Sequence, residues 1–191
     1  MKNNTTENTK TALLIIDIQN DYFPGGTMEL AAADETATKA KHLLAHFRKQ
    51  GIPIIHVQHI AVQEGANFFL PNTKGAEIHK SVTPLETEKV ITKHYPNSFR
   101  DTELLDYLKE NNIAKLVICG MMTDVCVAST TRAALDYGFD NTIITDAVTT
   151  RNREFNGKII TGEQVTESYL SGLNALGGLY AKMQSTEKYL N

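Results

Sequence analysis

Cysteine is scarce in this chain: there are two among 191 residues, Cys119 and Cys126. Two cysteines cannot build a disulfide framework, and a reducing compartment such as the cytoplasm fits that usage. Long apolar runs are missing too. None approaches the ~20 residues that a membrane-spanning helix needs. The opening MKNNTTENTK is polar and lacks the apolar centre of a secretory signal. Residues 1–10 therefore read as a flexible tail ahead of a single domain over 11–191. Excess positive charge is also lacking. The formal net charge is −3, so neither nucleic acid nor an anionic membrane is an expected partner. The chain shows no internal repeat and no low-complexity tract.

What the chain does have is a globular composition. Hydrophobic residues make up 41%, enough for a substantial core. TALLIID (Thr11–Asp17) is a near-continuous apolar run ending in an acid, which suits a buried parallel strand. Ala37, Ala40, Leu43, Leu44 and Phe47 recur at helical spacing, and Gly51 stops that helix. Further strands are expected at Ile52–Gln58, Lys89–Lys93, Lys115–Gly120, Asn141–Ala147 and in GLYAKM (Gly178–Met183). Helices are expected around Leu104–Leu108, Val127–Leu135 and Val165–Leu173. The thirty or so residues after Gln58 carry Gly65, Pro71, Gly75 and Pro84 and read mainly as loop. Strands alternating with helices predict one parallel sheet covered on both faces, a doubly wound α/β domain.

In such a sheet ligands bind beyond the carboxyl ends of the strands. Asp17 closes the first strand, Lys93 closes the third, and Cys126 follows the fourth after a short turn. Two readings of Cys126 compete: a small buried side chain, or a nucleophile. A helix start and a nearby ammonium such as Lys93 favour thiolate. Asp17 opposes it by charge but can accept the thiol proton as a general base. The N–H of Cys126, with one from the preceding MMTD turn, can bind the oxyanion of a tetrahedral intermediate. Cys119 lies inside an apolar strand and reads as core.

Three blocks then look familiar: LLIIDIQNDYFPGG (Leu13–Gly26), ITKHYPNSF (Ile91–Phe99) and LVICGMMTDVCVASTTRAALDYGF (Leu116–Phe139). In this order they resemble the isochorismatase-like cysteine hydrolases, over nearly the whole chain from Thr11 to about Leu190. The resemblance implies a Rossmann-like, three-layer α/β/α domain whose six-stranded parallel sheet has the order 3-2-1-4-5-6. It implies a catalytic triad of Asp17, Lys93 and Cys126. It implies a cis peptide at Met121–Met122 and an oxyanion hole made by the backbone N–H groups of Met122 and Cys126. It also implies a homo-oligomer, a dimer or tetramer, acting on a small-molecule substrate.

Nicotinamidases, one branch of that family, carry Asp-x-His after the second strand, with further histidines, and hold a metal. Here that place reads IIHVQHI. His56 and His59 are three apart, so on a regular strand they face opposite ways, and no carboxylate lies between them. We expect one core or interface histidine, one loop histidine, no metal and no cofactor; nicotinamide is disfavoured as substrate. Isochorismatase proper cleaves a vinyl ether and can use an acid alone. Cys126 favours acyl chemistry instead: hydrolysis of a carbon–nitrogen bond in a small amide through a thioester. The alternative is vinyl-ether hydrolysis giving pyruvate, with Asp17 as general acid. A third reading is a binding or assembly module without turnover.

For the substrate pocket, Tyr22 and Phe23 are expected in the wall and Phe68 and Phe69 in a lid, unless one of each pair packs under its own loop. Gln19 is expected to orient Asp17 or to touch substrate. Asp124 reads as a helix cap. Arg132 and Arg151 suit either an anionic substrate or surface salt bridges.

Overall fold

Successive residues of the first strand serve two cores, and this alternation organises the molecule. The computed structural model describes residues 9–191, and the first eight residues of the expected tail lie outside it. In β1 (Lys10–Ile16), Leu13 and Ile15 point to one face while Ala12, Leu14 and Ile16 point to the other. A stretch buried on both faces has to be apolar throughout, as Ala12–Ile16 is. Lys10 belongs to β1, its N–H bonded to the Asn112 carbonyl at 2.9 Å, so the strand begins earlier than expected.

The first face is covered by α1 (Ala33–Gln50), which buries Ala37, Ala40, Leu44 and Phe47. Gly51 ends it in the left-handed region, φ 64°. The remaining strands are β2 (Ile54–His59), β3 (Lys89–Lys93), β4 (Ile113–Met121), β5 (Asp140–Thr149), a hairpin of β6 (Arg153–Phe155) and β7 (Lys158–Ile160), and β8 (Lys182–Gln184). The opposite face carries α2 (Leu104–Glu110), α3 (Ala128–Asp136) and α4 (Gly162–Leu173), with Leu104, Leu108, Val127, Ala134 and Leu173 in the second core. A short α5 (Ala175–Gly178) precedes β8. The final α6 (Thr186–Leu190) lays Tyr189 and Leu190 against the first core.

Six strands form one parallel sheet in the order β3-β2-β1-β4-β5-β8. This is the expected doubly wound α/β architecture, with the sixth sheet strand numbered eighth because the β6–β7 hairpin intervenes. That hairpin was not anticipated, although Asn156-Gly157 is a strong turn signal. Both residues have positive φ, 52° and 72°, as a two-residue hairpin turn requires. The last strand starts later than GLYAKM suggested, because Gly177 and Gly178 also take positive φ. The long loop after β2 contains two single helical turns, Lys74–Ala76 and Lys80–Val82. Among the described residues no helix is long and apolar enough to cross a membrane.

β1 and β4 are neighbours, so the chain reverses its order beside the ends of these two strands. Their approach is close. A Cβ on Gly120 would overlap the Ile16 carbonyl, and Gly120 sits at φ 130°. Only glycine lets the two strand ends meet here.

Candidate active site

Three strand ends and one turn converge at this crossing. Asp17 follows β1 in the left-handed region, φ 50°. Lys93 is the last residue of β3 and pairs with His59, the last residue of β2. Cys126 lies in a wide turn, Thr123–Val127, that leads from β4 into α3. In that turn the Met122 carbonyl accepts from both the Val125 and Val127 N–H groups. The Met121–Met122 peptide is cis.

The side chains meet in a buried cluster. Lys93 Nζ is 2.7 Å from Asp17 Oδ2, with both side chains fully buried. The same ammonium donates to Cys126 Sγ at 3.3 Å and stands 2.9 Å from His59 Nδ1. The Asp17 contact has ion-pair distance but not hydrogen-bond direction, and neither carboxylate oxygen has a hydrogen-bond partner among the described residues. Its lone pairs are open to a proton donor.

The charges fix the resting protonation states. Burial works against the Lys93 ammonium, but its close neighbours, the Asp17 carboxyl first, outweigh it and hold its pKa above the ordinary lysine value. Burial, then the Asp17 charge, pushes the Cys126 thiol well up, and Lys93 only partly offsets them. That direction favours the thiol, the form whose proton Asp17 was expected to accept. Cys119, fully buried in β4, is pushed up to about 12 by burial alone and stands in the core as expected.

His59 is the residue that sequence reasoning set aside. The sequence left open which of His56 and His59 is the loop histidine; His59 is the last residue of β2 and the register partner of Lys93. His56 is the buried one, bonded to Glu88 Oε2 at 2.9 Å. Asp17, His59 and Cys126 offer ligand atoms all within 4.8 Å of one another. They do not fit a metal. Lys93 Nζ already lies within 3.3 Å of all three, at the point a cation would occupy, and supplies the positive charge itself.

The other expected residues divide. The Gln19 backbone N–H donates to the Asp17 carbonyl at 3.0 Å, but its side chain is fully buried and does not bond the Asp17 carboxylate. Its amide donates to the carbonyls of His59 and Ala76 and accepts from the His59 N–H, tying β2 to the long loop. Tyr22 is buried, and burial above all pushes its phenol well up. Phe69 meets Tyr22 edge-on at 4.6 Å and lies 6.0 Å from the His59 ring. Its N–H is held by Asp21 Oδ2 at 2.6 Å, an anchor that the sequence did not announce. Phe68 is half-buried against Phe69, whereas Phe23 stacks on His79 at 3.6 Å instead of walling the site.

Asp124 is no helix cap. It accepts from Thr150 at 2.5 Å and pairs with Arg153 of the unanticipated hairpin at 2.7 Å. Arg132 lies over Tyr180 and Arg151 donates to Met28 Sδ, so neither meets the cluster. An open cleft of about 930 Å³ lies alongside, lined by Met28, Thr149, Thr150, Arg151, Glu163 and others, but by none of the four cluster residues.

Comparison with known proteins now bears on this arrangement. The family model of the isochorismatase domain matches residues 11–161. The chain belongs to the isochorismatase family. It is a hydrolase of that family. It is 47% identical to the isochorismatase family protein YddQ of Bacillus subtilis (strain 168), over 94% of this chain and 98% of that one. A solved structure from Oleispira antarctica, assigned to the isochorismatase hydrolases, is 44% identical and superposes with a TM-score of 0.90. That match covers 97% of this chain and 98% of the other. A more distant relative is the streptothricin hydrolase of Streptomyces noursei, 34% identical over 66% of this chain and 49% of that protein.

Proposed function

We propose that this hydrolase cleaves a carbon–nitrogen bond of a small amide through a thioester on Cys126. The observation that supports the reading most is the buried Lys93 ammonium, 2.7 Å from Asp17 and 3.3 Å from the Cys126 sulfur. It bridges the Cys126 thiol and the Asp17 carboxyl group, whose oxygens have no hydrogen-bond partner among the described residues. The name of the streptothricin hydrolase relative also speaks for hydrolysis.

In the first half-reaction Sγ attacks the amide carbon while Asp17 takes the thiol proton, so the thiolate forms only as it is consumed. Lys93 offsets the negative charge that builds between Asp17 and the sulfur. Backbone N–H groups of Met122 and Cys126 hold the oxyanion. Collapse breaks the C–N bond, and the amine leaves with the proton from Asp17. In the second half-reaction Asp17 deprotonates water, which attacks the thioester. The acid departs and the sulfur regains its proton. Atoms balance with water as the only co-reactant.

A panel of small primary amides and ureas, followed by ammonia release and by intact mass, tests the scheme. The expected result is ammonia from at least one compound and a covalent acyl adduct of the protein during turnover. Both are lost in Cys126→Ala. Ammonia release that survives Cys126→Ala overturns it. So does pyruvate from isochorismate, formed equally by Cys126→Ala and abolished in Asp17→Asn.

A further inference from the structure

The Lys93 ammonium donates to Cys126 Sγ, forms an ion pair with Asp17 Oδ2 and directs a further N–H at His59 Nδ1, 2.9 Å away. A ring nitrogen that faces an ammonium must present its lone pair. His59 therefore carries its proton on Nε2, with Lys93 selecting the tautomer. Burial first, then the Lys93 charge, lowers the pKa of the imidazole to about 4, so the ring stays neutral. Its backbone is fixed as well. The Gln19 amide accepts from the His59 N–H and donates to the His59 carbonyl, both at 2.8 Å. The outcome is an oriented N–H on a half-buried ring, and no described residue accepts from it.

We propose that His59 Nε2–H is a substrate-binding donor that selects amides carrying a hydrogen-bond acceptor, a carbonyl or carboxylate oxygen, beside the reacting carbonyl. The His59 ring and the sulfur both contact Lys93 Nζ, at 2.9 Å through Nδ1 and at 3.3 Å, and Nε2 lies across the same ring, so the acceptor it meets lies near the attacked carbon. A simple alkyl amide would cover this donor and leave it unpaired, which is unfavourable. The nature of the reacting group rests on the amide reading above; the donor does not.

Pairs of similar shape test this: oxamate against propionamide, and pyruvamide against isobutyramide. Binding is followed by ¹⁵N NMR of the histidine side chains in Cys126→Ala, so turnover is not needed. In the free wild type and in Cys126→Ala, His59 is expected as the Nε2–H tautomer between about pH 6 and pH 8. Oxamate and pyruvamide should shift its Nε2 signal and bind at least about tenfold more tightly than their partners. His59→Phe should reduce that preference to about twofold or less, and His59→Gln, which keeps an N–H donor, should restore part of it. An Nδ1–H tautomer overturns the proposal. A preference that persists in His59→Phe, or the absence of any Nε2 response to all four compounds, does so equally. Failure of the amide reading looks different: the preference at His59 stands, but wild-type protein releases no ammonia.

Discussion

Strands β2 and β3 serve two buried acid–base clusters, one near the start of β3 and one at its end. The first joins Arg48, His56 and Glu88; the second joins Asp17, His59, Lys93 and Cys126. Each has a carboxylate, a cation and a histidine, yet they are wired in opposite ways. Glu88 accepts from Arg48 Nε at 2.7 Å, from an Arg48 terminal nitrogen at 2.8 Å and from the Leu85 N–H at 3.0 Å, and it meets His56 Nε2 at 2.9 Å. Both of its oxygens are engaged, Oε1 by one partner and Oε2 by three. Burial alone would raise its pKa, but these donors pull it down to about 2. Asp17 has the Lys93 charge and no hydrogen bond from a described residue. A saturated carboxylate holds structure; an unsaturated one is free to exchange a proton. The difference separates a brace from a reaction centre where residue types alone would not.

The largest expected effects break the open cluster. Cys126→Ala should lower ammonia release by at least ~10⁴-fold, since the nucleophile acts as a unit with its partners. Its denaturation midpoint should stay near wild type. Lys93→Met should abolish turnover and also cost about 3–5 kcal/mol of stability, because it leaves the buried Asp17 charge alone. Adding Asp17→Asn should recover part of that stability and none of the activity. Urea titrations of the three proteins check this, and a double variant as unstable as Lys93→Met would show that the pair is not the source of the cost.

The closed cluster should respond the other way. Glu88→Gln is expected to cost about 1.5–3 kcal/mol and to leave kcat/KM within about twofold. Acid should erase the difference. The Glu88 carboxyl is held at about 2 in the folded chain against an ordinary 4.5, so the unfolded chain takes up the proton more readily. Its stabilisation is complete above about pH 4.5 and is lost as pH falls toward 2. His56, held below 6.5 chiefly by burial, adds a loss of the same sign once the unfolded chain begins to take up its proton. Wild type and Glu88→Gln should therefore converge in urea titrations as pH falls from 5 to 3. A gap that stays constant would mean that Glu88 acts by shape and not by charge.

How much of this was legible follows from the kind of signal each part leaves. The sheet was, because a strand buried on both faces must be apolar throughout, and Ala12–Ile16 is. The positions of Asp17, Lys93 and Cys126 were, because topology places strand ends together. His59 was not. Its meaning depends on register, on being the partner of Lys93 across β2 and β3, and a sequence does not print register. The side-chain partners of Gln19 were hidden for a similar reason: its amide donates to carbonyls 40 and 57 residues away. Arg153 was missed together with its hairpin, even though Asn156-Gly157 was in view.

The smallest test keeps every charge and changes only geometry. Arg48 reaches Glu88 through two nitrogens and also donates to the Thr83 carbonyl at 2.8 Å, which a planar fork can do and an ammonium cannot. Arg48→Lys preserves the ion pair, so Coulomb attraction alone predicts no change. If saturation of lone pairs is what makes this cluster a brace, the loss of one directed bond should cost about 1 kcal/mol. It should also lift the Glu88 carboxyl part of the way back toward its ordinary value, visible as a smaller loss of stability on acidification. Activity should be untouched, because the substitution leaves Asp17, Lys93 and Cys126 as they were. A neutral Arg48→Lys would reduce the contrast between the two clusters to charge alone, and the free lone pairs of Asp17 would then lose their standing as the mark of the reaction centre.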